Sequence, residues 1–109
     1  MTTEIPIQCV LDAIPEAERE AQVARSHEIF GAVQNVHETS DGYRFTLPIE
    51  KLITVATWVS FERLCCPFFA FGITFAPAAT TFDFALNGGE EVKAFIRHEI
   101  VDQLIPTIS

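Results

Sequence analysis

Ile5, Ile7, Cys9 and Leu11 alternate with Pro6, Gln8 and Val10, the two-residue period of a strand with one buried face, so Cys9 is expected to point into a core. Pro15 suits a first helical turn, and Glu16, Glu18 and Glu20 place negative charge where the helix dipole favours it. A helix is therefore predicted from about Pro15 to Phe30, ended by Gly31. Val36 to Thr39 and Tyr43 to Leu47 flank Ser40-Asp41-Gly42, and an Asp-Gly pair between alternating segments predicts a hairpin. Pro48 closes its second strand. From about Ile49, the residues Leu52, Ile53, Val55, Ala56 and Val59 recur at helical spacing, and Pro67 ends that helix near Cys65 or Cys66. Phe71, Ile73 and Phe75, then Phe82, Phe84 and Leu86, predict a second hairpin around Ala76-Pro77-Ala78-Ala79. Val92, Phe95, Ile96, Ile100, Val101 and Leu104 describe an amphipathic helix beginning near Glu90.

The order strand, helix, hairpin, helix, hairpin, helix with short connections suits an α+β fold, with helices packed on one face of a mainly antiparallel sheet. A ferredoxin-like variant is expected. The 109 residues, 49% hydrophobic and 20% charged, form a single α+β domain, 1–109, because one core suffices at this length and no linker composition interrupts the chain. The formal net charge of -8 repels phosphate backbones, which weighs against nucleic acid as a partner. The N-terminus lacks a secretory pattern and no stretch is apolar enough for a membrane span, so no membrane is expected and the cytoplasm is the expected location. Three cysteines, two of them adjacent, suit thiols in a reducing compartment better than a disulfide framework.

Candidate chemistry concentrates in Glu62-Arg63-Leu64-Cys65-Cys66-Pro67. At about 100° per residue with Leu52 at zero, Val55 (about 300°), Ala56 (about 40°) and Val59 (about 340°) mark the expected buried stripe. Glu62 at about 280°, Arg63 at about 20° and Cys66 at about 320° fall on it, whereas Cys65 at about 220° points aside. A carboxylate and a guanidinium on such a stripe are costly unless paired or at the edge of the core. The plainer alternative has Arg63 serving the last helix carbonyls, Glu62 in water and the cysteines acting as small core hydrophobes.

The sharper alternative joins Cys9 to Cys65 and Cys66 as metal ligands. Thiolates select soft or borderline ions such as Zn(II) or Cu(I), or another small thiophilic ligand, and Glu62 or His98 would add a harder donor. A cysteine-dependent enzyme or thiol redox protein is the next alternative, with Cys66 as nucleophile, Glu62 as its acid-base partner and Arg63 beside them as a further catalytic candidate. The negative end of the helix dipole weighs against a thiolate there. A structural homodimer with buried cysteines is the third. His27, His37 and His98 each have ordinary surface or core accounts. Gly88-Gly89 before a helix would suit an anion, but Glu90 and Glu91 would repel it.

The Glu62-Arg63-x-Cys65-Cys66-Pro67-Phe68 centre resembles that of a family of small bacterial proteins of uncharacterised function. The resemblance extends to Cys9-Val10-Leu11, Pro15, Glu18-Arg19, Trp58 and Gly89-x-x-Val92-Lys93-x-Phe95. It implies that Cys9, Glu62, Arg63, Cys65 and Cys66 belong together, and it names no reaction. The Cys-Cys-x-Phe segment is also similar to regions appended to metal-responsive, MerR-like regulators, which implies soft metals as ligands.

Overall fold

The structure is a computed structural model that describes residues 11–104. The strand expected over Ile5 to Leu11, and Cys9 with it, lies outside the described residues but for Leu11. A short 3-10 turn, Leu11–Ala13, leads into α1 (Glu16–Gly31). Strands β1 (Asn35–Glu38) and β2 (Gly42–Pro48) form the first hairpin. A second 3-10 turn, Ile49–Lys51, precedes α2 (Leu52–Cys65). Strands β3 (Ala70–Thr74) and β4 (Thr81–Asn87) form the second hairpin. Helix α3 (Glu90–Ile96) then continues into a π-helical turn, Arg97–Val101.

The hairpins join through β2 and β4 into one antiparallel sheet of order β1-β2-β4-β3. Register places Tyr43 opposite Leu86 and Leu86 opposite Phe71, with Phe45, Phe84 and Ile73 in the next such row. Because side chains alternate along a strand, these rows share one face. Tyr43, Phe45, Leu47, Phe82, Phe84 and Leu86 on it are all buried, whereas Arg44 is exposed and Thr46 and Asp83 are partly exposed on the other face.

All three helices supply rings to the same layer. Phe30 of α1 meets Phe45 edge-on at 5.6 Å, and Trp58 of α2 meets Phe84 at 5.5 Å and Phe71 at 6.2 Å. Phe95 of α3 meets Phe68 at 5.3 Å. Edge-to-face geometry suits the ring quadrupoles and adds to the burial of so many aromatics. The architecture is the expected α+β layering. One local expectation is corrected: β3 stops at Thr74, so Phe75 lies past the strand and is 57% exposed. The turn that follows puts Ala78 at φ 57°, left-handed backbone that strand pairing cannot extend through. No helix among the described residues is long and apolar enough to cross a membrane.

The glycine of the Asp-Gly pair is needed for close approach. No glycine among the described residues has positive φ, and a Cβ built on Gly42 falls on the Leu86 carbonyl and the Asn87 backbone. Gly42 opposes Asn87 where the two hairpins pair. Gly42→Ala should therefore lower stability by about 1–3 kcal/mol, the usual scale of overpacking. Urea denaturation checks this, and an unchanged midpoint would contradict the close approach.

Candidate functional site

Trp58 sets the rotation of α2. It is the bulkiest side chain on that helix, only 2% exposed, and its ring is edge-on to Phe30, Phe71 and Phe84. Its indole Nε1 donates to Ser26 Oγ at 2.8 Å, so the ring's polar atom is satisfied on α1. The inward positions of the helix are Val55, Trp58 and Cys65, with Glu62 half-buried among them, while Ala56 is exposed. On the same wheel Val55 at about 300°, Trp58 at about 240°, Glu62 at about 280° and Cys65 at about 220° centre the stripe near about 260°.

This rotation corrects two expectations. Arg63 does not face the core and is exposed; Cys65 does not point aside and is buried. Cys66 is fully buried for a different reason, since it lies just past the helix. Its φ of -124° and ψ of 72° have left helical values, although its N–H still donates to the Glu62 carbonyl at 2.7 Å. Pro67 has no amide hydrogen with which to continue.

Glu62, Cys65 and Cys66 come together. Their ligand atoms all lie within 4.8 Å of one another. Cys66 Sγ stands 3.3 Å from Glu62 Oε1 and 3.8 Å from Cys65 Sγ. Against the expectation of reduced thiols, Cys66 is disulfide-bonded. Cys65 is not its other half, because 3.8 Å is far beyond the bonded separation of about 2.05 Å. His98, expected as a further donor, is exposed on the π-helical turn and outside this group. His37 is exposed on β1.

The carboxyl is held by a residue that sequence reasoning missed. Gln22 on α1 is 3% exposed, and its Nε2 donates both to the Trp58 carbonyl at 2.9 Å and to Glu62 Oε2 at 3.0 Å. Arg25 Nη1 donates to Gln22 Oε1 at 2.9 Å, and Arg25 Nη2 donates to Glu18 Oε1 at 2.7 Å. Because Arg25 claims the amide oxygen, the amide nitrogen has to face Glu62. The one available signal was spacing: Gln22 lies seven residues before Ile29, two helical turns along the same buried face of α1.

Cys66 and Glu62 also form part of the wall of a cavity of about 610 Å³ between α1, α2 and the α3 extension. Burial pushes the Glu62 carboxyl above its usual range, and the Gln22 hydrogen bond, which favours the carboxylate, offsets this only in part.

The folded protein thus keeps a proton on Glu62 at pH values where the unfolded chain has released it. Stability from this group is present below the unfolded value of 4.5 and is lost as pH rises through the raised folded value. In the oxidised protein, Glu62→Gln should match wild-type thermal stability below about pH 4 and exceed it near neutrality. A wild-type advantage that grows with pH would contradict this. Comparison of the chain with protein-family models, curated proteins and solved structures finds no match, so what the cluster does has to be argued from its geometry.

Proposed function

We propose that the reduced protein binds a soft or borderline metal ion, or a thiophilic metalloid, through the Cys65 and Cys66 thiolates and the Glu62 carboxylate, with Cys9 as a third thiol. The spacing of the three ligand atoms carries this reading. Two thiolates at about 2.3 Å from a tetrahedral ion lie about 3.8 Å apart, and a thiolate and a carboxylate oxygen about 3.5 Å apart. Two of the three separations match, 3.8 Å between the sulfurs and 3.3 Å from Cys66 Sγ to Glu62 Oε1, and the third lies within 4.8 Å, all with Cys66 still in its disulfide. A bound cation also offsets the cost of burying the ionised Glu62, and sulfur donors favour Zn(II), Cu(I) or As(III) over hard ions. Gln22 and Arg25 act behind the ligand, fixing the carboxyl's orientation as supporting hydrogen bonds do in metal sites. A cytoplasmic setting, where thiols are kept reduced, suits this chemistry. The resemblance of the Cys65-Cys66-x-Phe68 segment to metal-responsive regulators leans the same way.

A thiol redox protein is the second reading. The disulfide state of Cys66 and the half-buried carboxyl beside its sulfur favour it, because Glu62, once ionised above its raised pKa, can take the proton of the reduced thiol. The pH dependence of Cys66 alkylation separates the two: an ordinary or raised thiol pKa argues against the redox reading.

Titration of the reduced protein with Zn(II), Cu(I) or As(III) should show tight binding that is lost in Cys66→Ser and weakened about tenfold or more in Gln22→Leu. Affinity should rise with pH, because thiols and carboxyl must give up protons to bind. Absence of binding by all three ions would sink the proposal.

A further inference from the structure

We infer that the ligand is an organyl compound of a thiophilic element, with the element on Cys65 and Cys66 and its carbon substituent in the adjoining cavity. The inference rests on the thiol-binding reading above and names the class of ligand for that site.

The cavity of about 610 Å³ falls in the range of small-molecule sites, roughly 300–1,000 Å³. A bare ion held by three ligand atoms has no use for such a space. Its lining is mainly apolar, with Phe30, Trp58, Phe69, Phe95, Ile100 and Leu104 facing it, and Cys66 and Glu62 are part of the same wall. Phe69 and Phe95, 5.9 Å apart between ring centres, offer aromatic faces and edges to a planar substituent. An apolar group against these rings is stabilised by leaving water, while His27, Glu99 and Gln103 line the cavity from exposed positions.

A monoorganyl arsenic(III) species meets both demands. In R–As(OH)2 plus two thiols, both As–O bonds break and two As–S bonds form. The two thiol protons leave with the hydroxyls as two waters. Arsenic keeps its oxidation state, and the bis-thiolate product is neutral. The adjacent sulfurs, 3.8 Å apart, are placed for one atom to bridge them once a small dithiol reductant has opened the Cys66 disulfide by exchange, taking up the disulfide itself.

The test compares phenylarsonous acid with arsenite on the reduced full-length protein, each titrated in competition with a small dithiol to cancel the intrinsic preference of thiols for either arsenical. The protein should prefer the phenyl compound over arsenite by about tenfold or more beyond the small dithiol's own ratio, the scale set by burying one aromatic ring. Ile100→Trp, which fills the cavity, should return that ratio to the small dithiol's value and leave arsenite affinity within about threefold of wild type. Gln103→Phe fills the same space from its exposed rim and gives the answer if Ile100→Trp does not fold. Arsenite binding with no added phenyl preference, or a preference that persists in the filled variants, overturns this inference alone. Binding of neither arsenical overturns the thiol reading with it.

Discussion

The Gln22 side chain bonds two turns of α2 at once, the Trp58 carbonyl and the Glu62 carboxyl, and the site depends on that bridge. A buried amide left unsatisfied costs about 1–3 kcal/mol, so Gln22 belongs at 3% exposure only if both its ends are occupied. Arg25 occupies the oxygen and the two acceptors on α2 occupy the nitrogen. Glu18 in turn holds Arg25, giving a chain of polar contacts from the first turns of α1 to the sulfur of Cys66. Arg25 also covers the Phe61 ring at 5.1 Å, a cation–π contact at the chain's solvent end.

Two packing demands meet at the end of α2. Trp58 fixes the rotation of the helix because its ring needs Phe30, Phe71 and Phe84 while its N–H needs Ser26. One helical turn later the same rotation aims Glu62 at the edge of the core, and Cys65 follows it inward. Pro67 then stops the helix, so that Cys66 leaves it with its sulfur beside the carboxyl. A carboxyl, two sulfurs and an apolar cavity are thereby gathered at one helix end.

Much of this was legible in the chain, and the misses have physical causes. The Asp41-Gly42 hairpin, the helix begun at Pro15 and the stop at Pro67 are local signals, and they lie within a residue or so of the observed boundaries. The wheel for α2 failed because it weighted Leu52, Ala56 and Val59 equally and omitted Trp58. One indole outweighs three smaller side chains, and it turned Arg63 out and Cys65 in. Phe75 kept the alternating pattern but fell beyond the strand, where a left-handed Ala78 turns the chain. Gln22 was invisible because a polar residue on a helix reads as surface until its partners 36 and 40 residues away are known. Proximity of Glu62 to Cys66 followed from their four-residue spacing; the cavity beside them depends on α3 and could not be read from that segment.

The central claim is that Glu62, Cys65 and Cys66 act as one ligand set. X-ray absorption at the metal edge of the Zn(II)-loaded, reduced protein tests it most directly. Coordination by the three side chains should show at least two sulfurs at about 2.3 Å with an oxygen at about 2.0 Å, and one sulfur fewer in either Cys65→Ser or Cys66→Ser. A shell of nitrogen and oxygen alone, or a sulfur count unmoved by both substitutions, would contradict it.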